Sequence, residues 1–244
     1  MTLNIIILAG GKGTRIRNVL NKTPKIMAPV AGKPFLDWLL IWIDSWNLDI
    51  PKKIFLSTCI GHEYIKNYCD KKNMSNLECF REKKPLGTFG ALANVATQNI
   101  ADQYLTINGD TIFKADMRRI YNRFNQNSKN KALIVLKESP TNDRYGGYEK
   151  TKEGWIFTKK NTKFISLGAF FITYNELKNR WLKSTNVPFK NHNINKIDRE
   201  FMIDNSLFGN NEVSAEVLKS NTPFLDIGIP QTLKEAQTFI PKII

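Results

Sequence analysis

The chain has 244 residues, 42% of them hydrophobic, and a formal net charge of +14, enough length for one large α/β domain, 1–244, with a sizeable buried core. No apolar run approaches the length of a membrane span, which argues against a membrane partner. The basic excess invites a nucleic-acid reading, but its lysine pairs at 71–72, 83–84 and 159–160 fall on separate segments and read as solvated faces, so no nucleic-acid partner is expected.

Residues 3–8 form an apolar run, broken only by Asn4, that leads into glycine, the signature of a buried parallel strand. A glycine-rich loop, Leu8-Ala9-Gly10-Gly11-Lys12-Gly13-Thr14-Arg15, follows it. Pro34 starts a helix over 35–46, in which Leu36, Leu39, Leu40 and Ile43 recur at helical spacing. Trp38, Trp42 and Trp46 repeat every four positions on it and are expected in the core. Strands at 53–57, 77–81 and 104–108 then alternate with helices at 63–69, 87–96 and 117–124. This repeated βα winding places ligands beyond the carboxyl ends of the strands, where the residue-10 loop, residues 82–87 and Asp110 fall. A further strand spans 132–137. The rhythm then breaks into strands at 148–150, 155–158 and 164–173, an antiparallel excursion of the kind that covers a substrate. Helices are predicted at 176–182 and 199–205, and a strand at 213–218 leads to Phe224-Leu225-Asp226-Ile227-Gly228. A last helix runs from about 230 to 239.

The loop at 10–13 leaves backbone N–H groups uncovered by any Cβ, and Lys12 and Arg15 add positive charge, a combination suited to a polyanion. It is neither of two common phosphate loops. The nucleotide-kinase pattern needs glycines in a different spacing before Lys-Ser/Thr, and the dinucleotide fingerprint needs glycine where Ile16 stands. About ten residues downstream come Thr23-Pro24-Lys25 and Met27-Ala28-Pro29-Val30-Ala31-Gly32-Lys33-Pro34, a spacing that lets Lys25 return to the glycines. Together these segments resemble the sugar-1-phosphate nucleotidyltransferases. Within that group, Pro24-Lys25-Ile26-Met27-Ala28-Pro29-Val30 and Gly32-Lys33-Pro34-Phe35-Leu36 are most similar to the D-glycero-D-manno-heptose 1-phosphate guanylyltransferases.

The resemblance implies a three-layer, Rossmann-like nucleotidyltransferase fold, with a mostly parallel mixed central sheet and a small antiparallel excursion over the sugar site. It also implies a Mg²⁺-dependent reaction between a nucleoside triphosphate, with GTP favoured, and a sugar 1-phosphate, which releases pyrophosphate and yields a nucleotide sugar for surface polysaccharide synthesis. Arg15 and Lys25 would be catalytic. Leu8, Gly10, Gly11, Lys12, Gly13, Thr14, Glu82, Gly87, Thr88 and Asn108 would bind the nucleotide. Asp110, at the end of Asn108-Gly109-Asp110, and Asp226, in Asp226-Ile227-Gly228, match the metal aspartates; Mg²⁺ takes such hard oxygens and completes its octahedron with phosphates and water.

Glu82 opens the segment that matches the family's base-recognition stretch. An acceptor-only carboxylate suits the two adjacent donors on the Watson–Crick edge of guanine, and glycine at 87 would let a base edge meet the backbone. Gly109, Gly146, Lys160 and Gly168 would hold the sugar phosphate. The chain departs from the family at Phe89, where a small residue is usual, and at Lys159, where an acid is usual.

Other readings stay open. A different nucleotide, CTP, UTP or dTTP, with another phosphorylated sugar or polyol is one; a nucleotide-sugar-binding regulator without the chemistry is another. His62 and His192 are isolated, and no Ser-His-Asp set is visible. Cys59, Cys69 and Cys79 lie ten apart, which suits neither a zinc knuckle nor a disulfide framework. With no leader-like segment before residue 3, the expected location is the cytoplasm. A homo-oligomer is compatible with the sequence, which does not fix the number of subunits.

Overall fold

The computed structural model describes residues 1–21, 23–50, 52–126, 131–139, 147–152, 154–158, 162–190, 194, 199–203 and 213–244. In chain order the first half holds β1 (Leu3–Ala9), α1 (Arg17–Leu20), β2 (Pro29–Val30), β3 (Lys33–Pro34), α2 (Phe35–Ser45), β4 (Lys52–Thr58), α3 (His62–Lys72), β5 (Leu77–Arg81), α4 (Gly87–Ala96) and β6 (Gln103–Asn108). Then come β7 (Thr111–Phe113), α5 (Met117–Gln126), β8 (Ala132–Glu138), β9 (Gly147–Thr151), β10 (Gly154–Thr158), β11 (Phe164–Thr173), α6 (Tyr174–Thr185), β12 (Val213–Leu218), β13 (Phe224–Asp226) and α7 (Pro230–Ile243).

β1 is apolar apart from Asn4 because it lies inside the sheet, paired in parallel with β4 on one side and β6 on the other. β5 extends the parallel half beyond β4. Across β6 the direction reverses. β11 runs antiparallel to β6, β8 and β9; β10 pairs antiparallel with β9, and β12 parallel with β8. The antiparallel excursion is thus continuous with the nine-stranded central sheet.

The period of two along β1 divides the core. Leu3, Ile5 and Ile7 pack with α2, α3, α5 and α7 on one face, while Ile6 packs with α4 and α6 on the other. Three layers follow. Trp42 and Trp46 are buried in the first core as expected, and Trp38 packs on its edge with its Nε1 donating to the Val30 carbonyl at 2.9 Å. Phe89 is fully buried in the second, tilted against Trp181.

Two expectations change, and one pairing is new. Residues 199–202, predicted as the start of a helix, are not helical: Phe201 is buried between exposed neighbours, an alternation that belongs to an extended chain. The last helix continues to Ile243 because Pro241 enters only its final turn, where a missing N–H costs one hydrogen bond. The pairing of β7 with β13 had no clear sequence signal, since each strand is three residues long, yet it sets Asp226 opposite Thr111.

Candidate active site

At the carboxyl end of β1 the chain leaves the sheet as the loop 10–13, and the segment after α1 folds back over it. An ideal Cβ on Gly13 would lie 3.7 Å from the Lys25 Cβ, so the return of Lys25 to the glycines, read from spacing, is realised. The Lys25 ammonium forms an ion pair with Asp110 Oδ2, and Thr111 Oγ1 donates to the other oxygen, Oδ1, at 2.9 Å. Asp110 stands two residues beyond the end of β6. The antiparallel β7–β13 pair brings Asp226 to the same place, through Asp226 opposite Thr111 and Ile227 N donating to Asp110 O at 2.9 Å. Asp226 is buried, and its Oδ1 accepts Gly228 N at 2.9 Å.

One cavity is lined by Gly13, Thr14, Arg15, Lys25, Asn108, Asp110 and Asp226. Two carboxylates, one in the turn between β6 and β7 and one at the end of β13, are the donor set Mg²⁺ takes when substrate phosphates and water complete its shell. Among the described residues no group of three or more His, Cys, Asp and Glu side chains could hold a metal, so a protein-enclosed centre of the zinc type does not fit there.

A second cavity of about 300 Å³ shares Gly13, Lys25, Asn108 and Asp110 with the first and continues past Leu8, Gly10 and Gly11 to Glu82, Gly87 and Thr88. Glu82, only 5% exposed, accepts from Ser57 Oγ at 2.8 Å and from Leu86 N at 3.1 Å. Burial pushes its carboxyl above the ordinary range, against the lowering effect of those two hydrogen bonds. It is no solvated surface acid. A Cβ on Gly10 would come within 2.8 Å of Glu82 Oε1, so the first loop glycine admits this carboxylate into the wall.

Gly87 has φ +74°, and a Cβ there would meet the Phe201 carbonyl oxygen at 2.4 Å. Its missing side chain therefore makes room for backbone 201, whereas sequence suggested room for a base. Gly109 approaches the Leu8 carbonyl, donating its N–H to it at 3.0 Å. Lys12 is exposed and lines neither cavity. Phe89 points into the core behind α4, so its bulk does not shape the cavity wall.

Next to the second cavity, and sharing Leu8, Thr88, Asn108 and Met202 with it, a third cavity of about 260 Å³ opens against the antiparallel half of the sheet. Gly168 lines it at the irregularity of β11 between Ser166 and Phe170, as do Tyr148 and Phe157. Gly146, Lys159 and Lys160 lie outside the described residues, as do His192 and 204–205 of the expected helix. Sequence reasoning missed Thr106, Tyr148, Glu200 and Met202 as lining residues. For the last two no local signal was present: Phe201-Met202-Ile203 is an unbroken apolar run, and only the structure leaves Met202 exposed between two buried neighbours.

The profile of the nucleotidyl transferase family matches residues 4–168. A D-glycero-alpha-D-manno-heptose 1-phosphate guanylyltransferase from Aneurinibacillus thermoaerophilus is 28% identical over 240 residues, 96% of this chain and 97% of that protein. The protein of the same description from Campylobacter jejuni is 24% identical over 94% of this chain and 96% of its own. The crystal structure of HddC from Yersinia pseudotuberculosis superposes with a TM-score of 0.73 at 25% identity, covering 99% of each chain.

Proposed function

The chain belongs to the nucleotidyl transferase family, and from that premise we propose that it transfers GMP from GTP to a sugar 1-phosphate, D-glycero-D-manno-heptose 1-phosphate being favoured, with release of pyrophosphate. One observation carries the chemistry: Arg15, Lys25, Asp110 and Asp226, spread over most of the sequence, line a single cavity. The guanylyl and heptose assignments draw support from the two relatives of that description, which match almost end to end.

In the proposed reaction an oxygen of the sugar phosphate attacks the α-phosphorus in line, a new O–P bond forms, and the bond to the β-phosphate oxygen breaks. The attacking oxygen is already anionic, so no general base is needed. Both reactants repel each other, and the protein's task is to hold them together and to neutralise charge. The loop amides at 10–13 and the Arg15 guanidinium hold the triphosphate and the departing pyrophosphate. Lys25 exchanges Asp110 for phosphate oxygens and steadies the charge of the pentavalent centre. Asp110 and Asp226 would hold Mg²⁺, which when bound supplies Lewis-acid charge neutralisation at the α-phosphate. Glu82 faces the base from the far end of the nucleotide cavity, and the third cavity suits the sugar, an apolar-walled space beside Asn108 and Gly168.

Pyrophosphate release, measured over a grid of nucleoside triphosphates against sugar 1-phosphates with Mg²⁺, tests this directly. The expected best pair is GTP with heptose 1-phosphate. No release from any pair would overturn the activity, and strong release with another triphosphate would overturn the guanine assignment alone.

A further inference from the structure

Residues 199–202 cross the N-terminus of α4 outside any helix, and Ile203, which is helical, follows them. Phe201 N donates to Leu86 O at 2.8 Å, Phe201 O accepts from Phe89 N at 2.8 Å and Gly90 N at 3.4 Å, and Ile203 N donates to Thr88 Oγ1 at 2.8 Å. These bonds fix the segment to the same helix start that forms one wall of the nucleotide cavity. Alternation then sorts its side chains. Phe201 and Ile203 are buried against the second core, while Glu200 and Met202 line the cavity together with Gly10 and Glu82.

An exposed glutamate ordinarily needs no explanation. Glu200 differs from that case in two respects. It lines the cavity from a backbone already held in place, so presenting its carboxylate to a ligand requires little loop ordering. It is also close enough to Glu82 for its charge to add to the effect of burial in raising that carboxyl. Among the described residues no hydrogen bond or ion pair engages Glu200, whereas each oxygen of Glu82 already holds one donor, Ser57 and Leu86.

We infer that Glu200 is a specificity-determining residue of the nucleotide cavity, accepting an N–H of the exocyclic amino group of guanine while Glu82 serves the ring N–H side. The inference rests on the guanine reading above. Guanine carries three N–H donors on this side, one on the ring and two on the amino group, and an ionised carboxylate only accepts. Glu82, with one bond on each oxygen already committed, is poorly placed to satisfy all three, and a second carboxylate completes the set. The same pair opposes bases that present a ring-nitrogen acceptor at this edge, because lone pairs would face lone pairs.

Inosine triphosphate, which is guanosine triphosphate without the amino group, separates the two carboxylates. Calorimetric titration of the whole chain with GTP and with ITP, in the presence of Mg²⁺, is compared for the parent, Glu200→Gln and Glu200→Ala. The parent should bind GTP more tightly than ITP. Both substitutions should weaken GTP binding roughly tenfold or more, as for loss of a hydrogen bond to a charged group, and leave ITP within about twofold. Thermal unfolding of the variants should match the parent, since Glu200 is exposed. Equal loss for GTP and ITP, or no loss for either, overturns the role of Glu200 while the guanine reading stands. Tighter binding of CTP or UTP than GTP by the parent overturns the guanine reading itself, and this inference with it.

Discussion

The two cavities that meet at Asp110 handle charge in opposite ways. Near Asp110, charges of both signs share one space: Lys25 is paired with Asp110, and Arg15 and Asp226 line the same cavity. At the other end Glu82 is buried with only neutral donors, a serine hydroxyl and a backbone amide. Paired charges can exchange partners when phosphates arrive, at little cost in net charge. A lone buried carboxylate has no such freedom, and what suits it is a neutral, donor-rich surface such as a base edge. One end is therefore built to neutralise and the other to discriminate.

Four substitutions probe that division, beginning with the largest expected effect. Asp110→Asn should lower Mg²⁺-dependent pyrophosphate release by on the order of a thousandfold, several kcal/mol of transition-state stabilisation. A variant that still responds to Mg²⁺ titration would remove Asp110 from the metal role. Lys25→Ala should cost about a hundredfold in kcat, the loss of one transition-state donor, with the melting temperature little changed because Lys25 is only partly buried. If the loss appeared in KM alone, Lys25 would belong to ground-state binding.

Glu82→Gln should affect the discriminating end only, reducing kcat/KM for GTP roughly tenfold relative to other triphosphates. The amide can donate to Ser57 and accept from Leu86, so the wall should survive. The same variant tests the buried charge. Because the folded carboxyl lies above its reference value of 4.5, the native state binds more protons than the unfolded state across the interval between the two values. Stability should therefore fall as pH rises through that interval and stay reduced above it, and denaturant titrations from pH 4 to 7 should show this component vanish in Glu82→Gln. The smallest effect is expected for Lys12→Ala, on the order of twofold in KM and suppressed by salt, since Lys12 lines neither cavity and acts through the general field. A hundredfold loss would mean that the loop rearranges to bring Lys12 onto the phosphates.

Much of this was legible from local pattern. The strand at the N-terminus, the glycine loop, the βα alternation and the aspartates after strands could all be read because hydrophobic period and turn residues act over a few positions. Residues 199–202 were misread as helical, because a run of three apolar residues, Phe201-Met202-Ile203, carries no period that tells an extended chain from a helix. Phe89 was a different kind of error. As a departure from a family pattern it put the shape of the pocket in question, but α4 turns that side chain into the core against Trp181.

The sequence by itself determined the winding of the chain and the chemical inventory: a loop of bare amides, a returning lysine, and carboxylates at strand ends. Only the tertiary structure decided which of these act together. The meeting of Asp110 with Asp226 depends on pairing two three-residue strands more than a hundred positions apart, and the approach of Glu82 to Gly10 depends on the register of β1, β4 and β5. Likewise, Gly87 is free of a side chain for the sake of a backbone 114 positions later in the chain, Phe201. Such contacts are set by long-range packing and hydrogen bonding, which leave almost no trace in the few residues on either side.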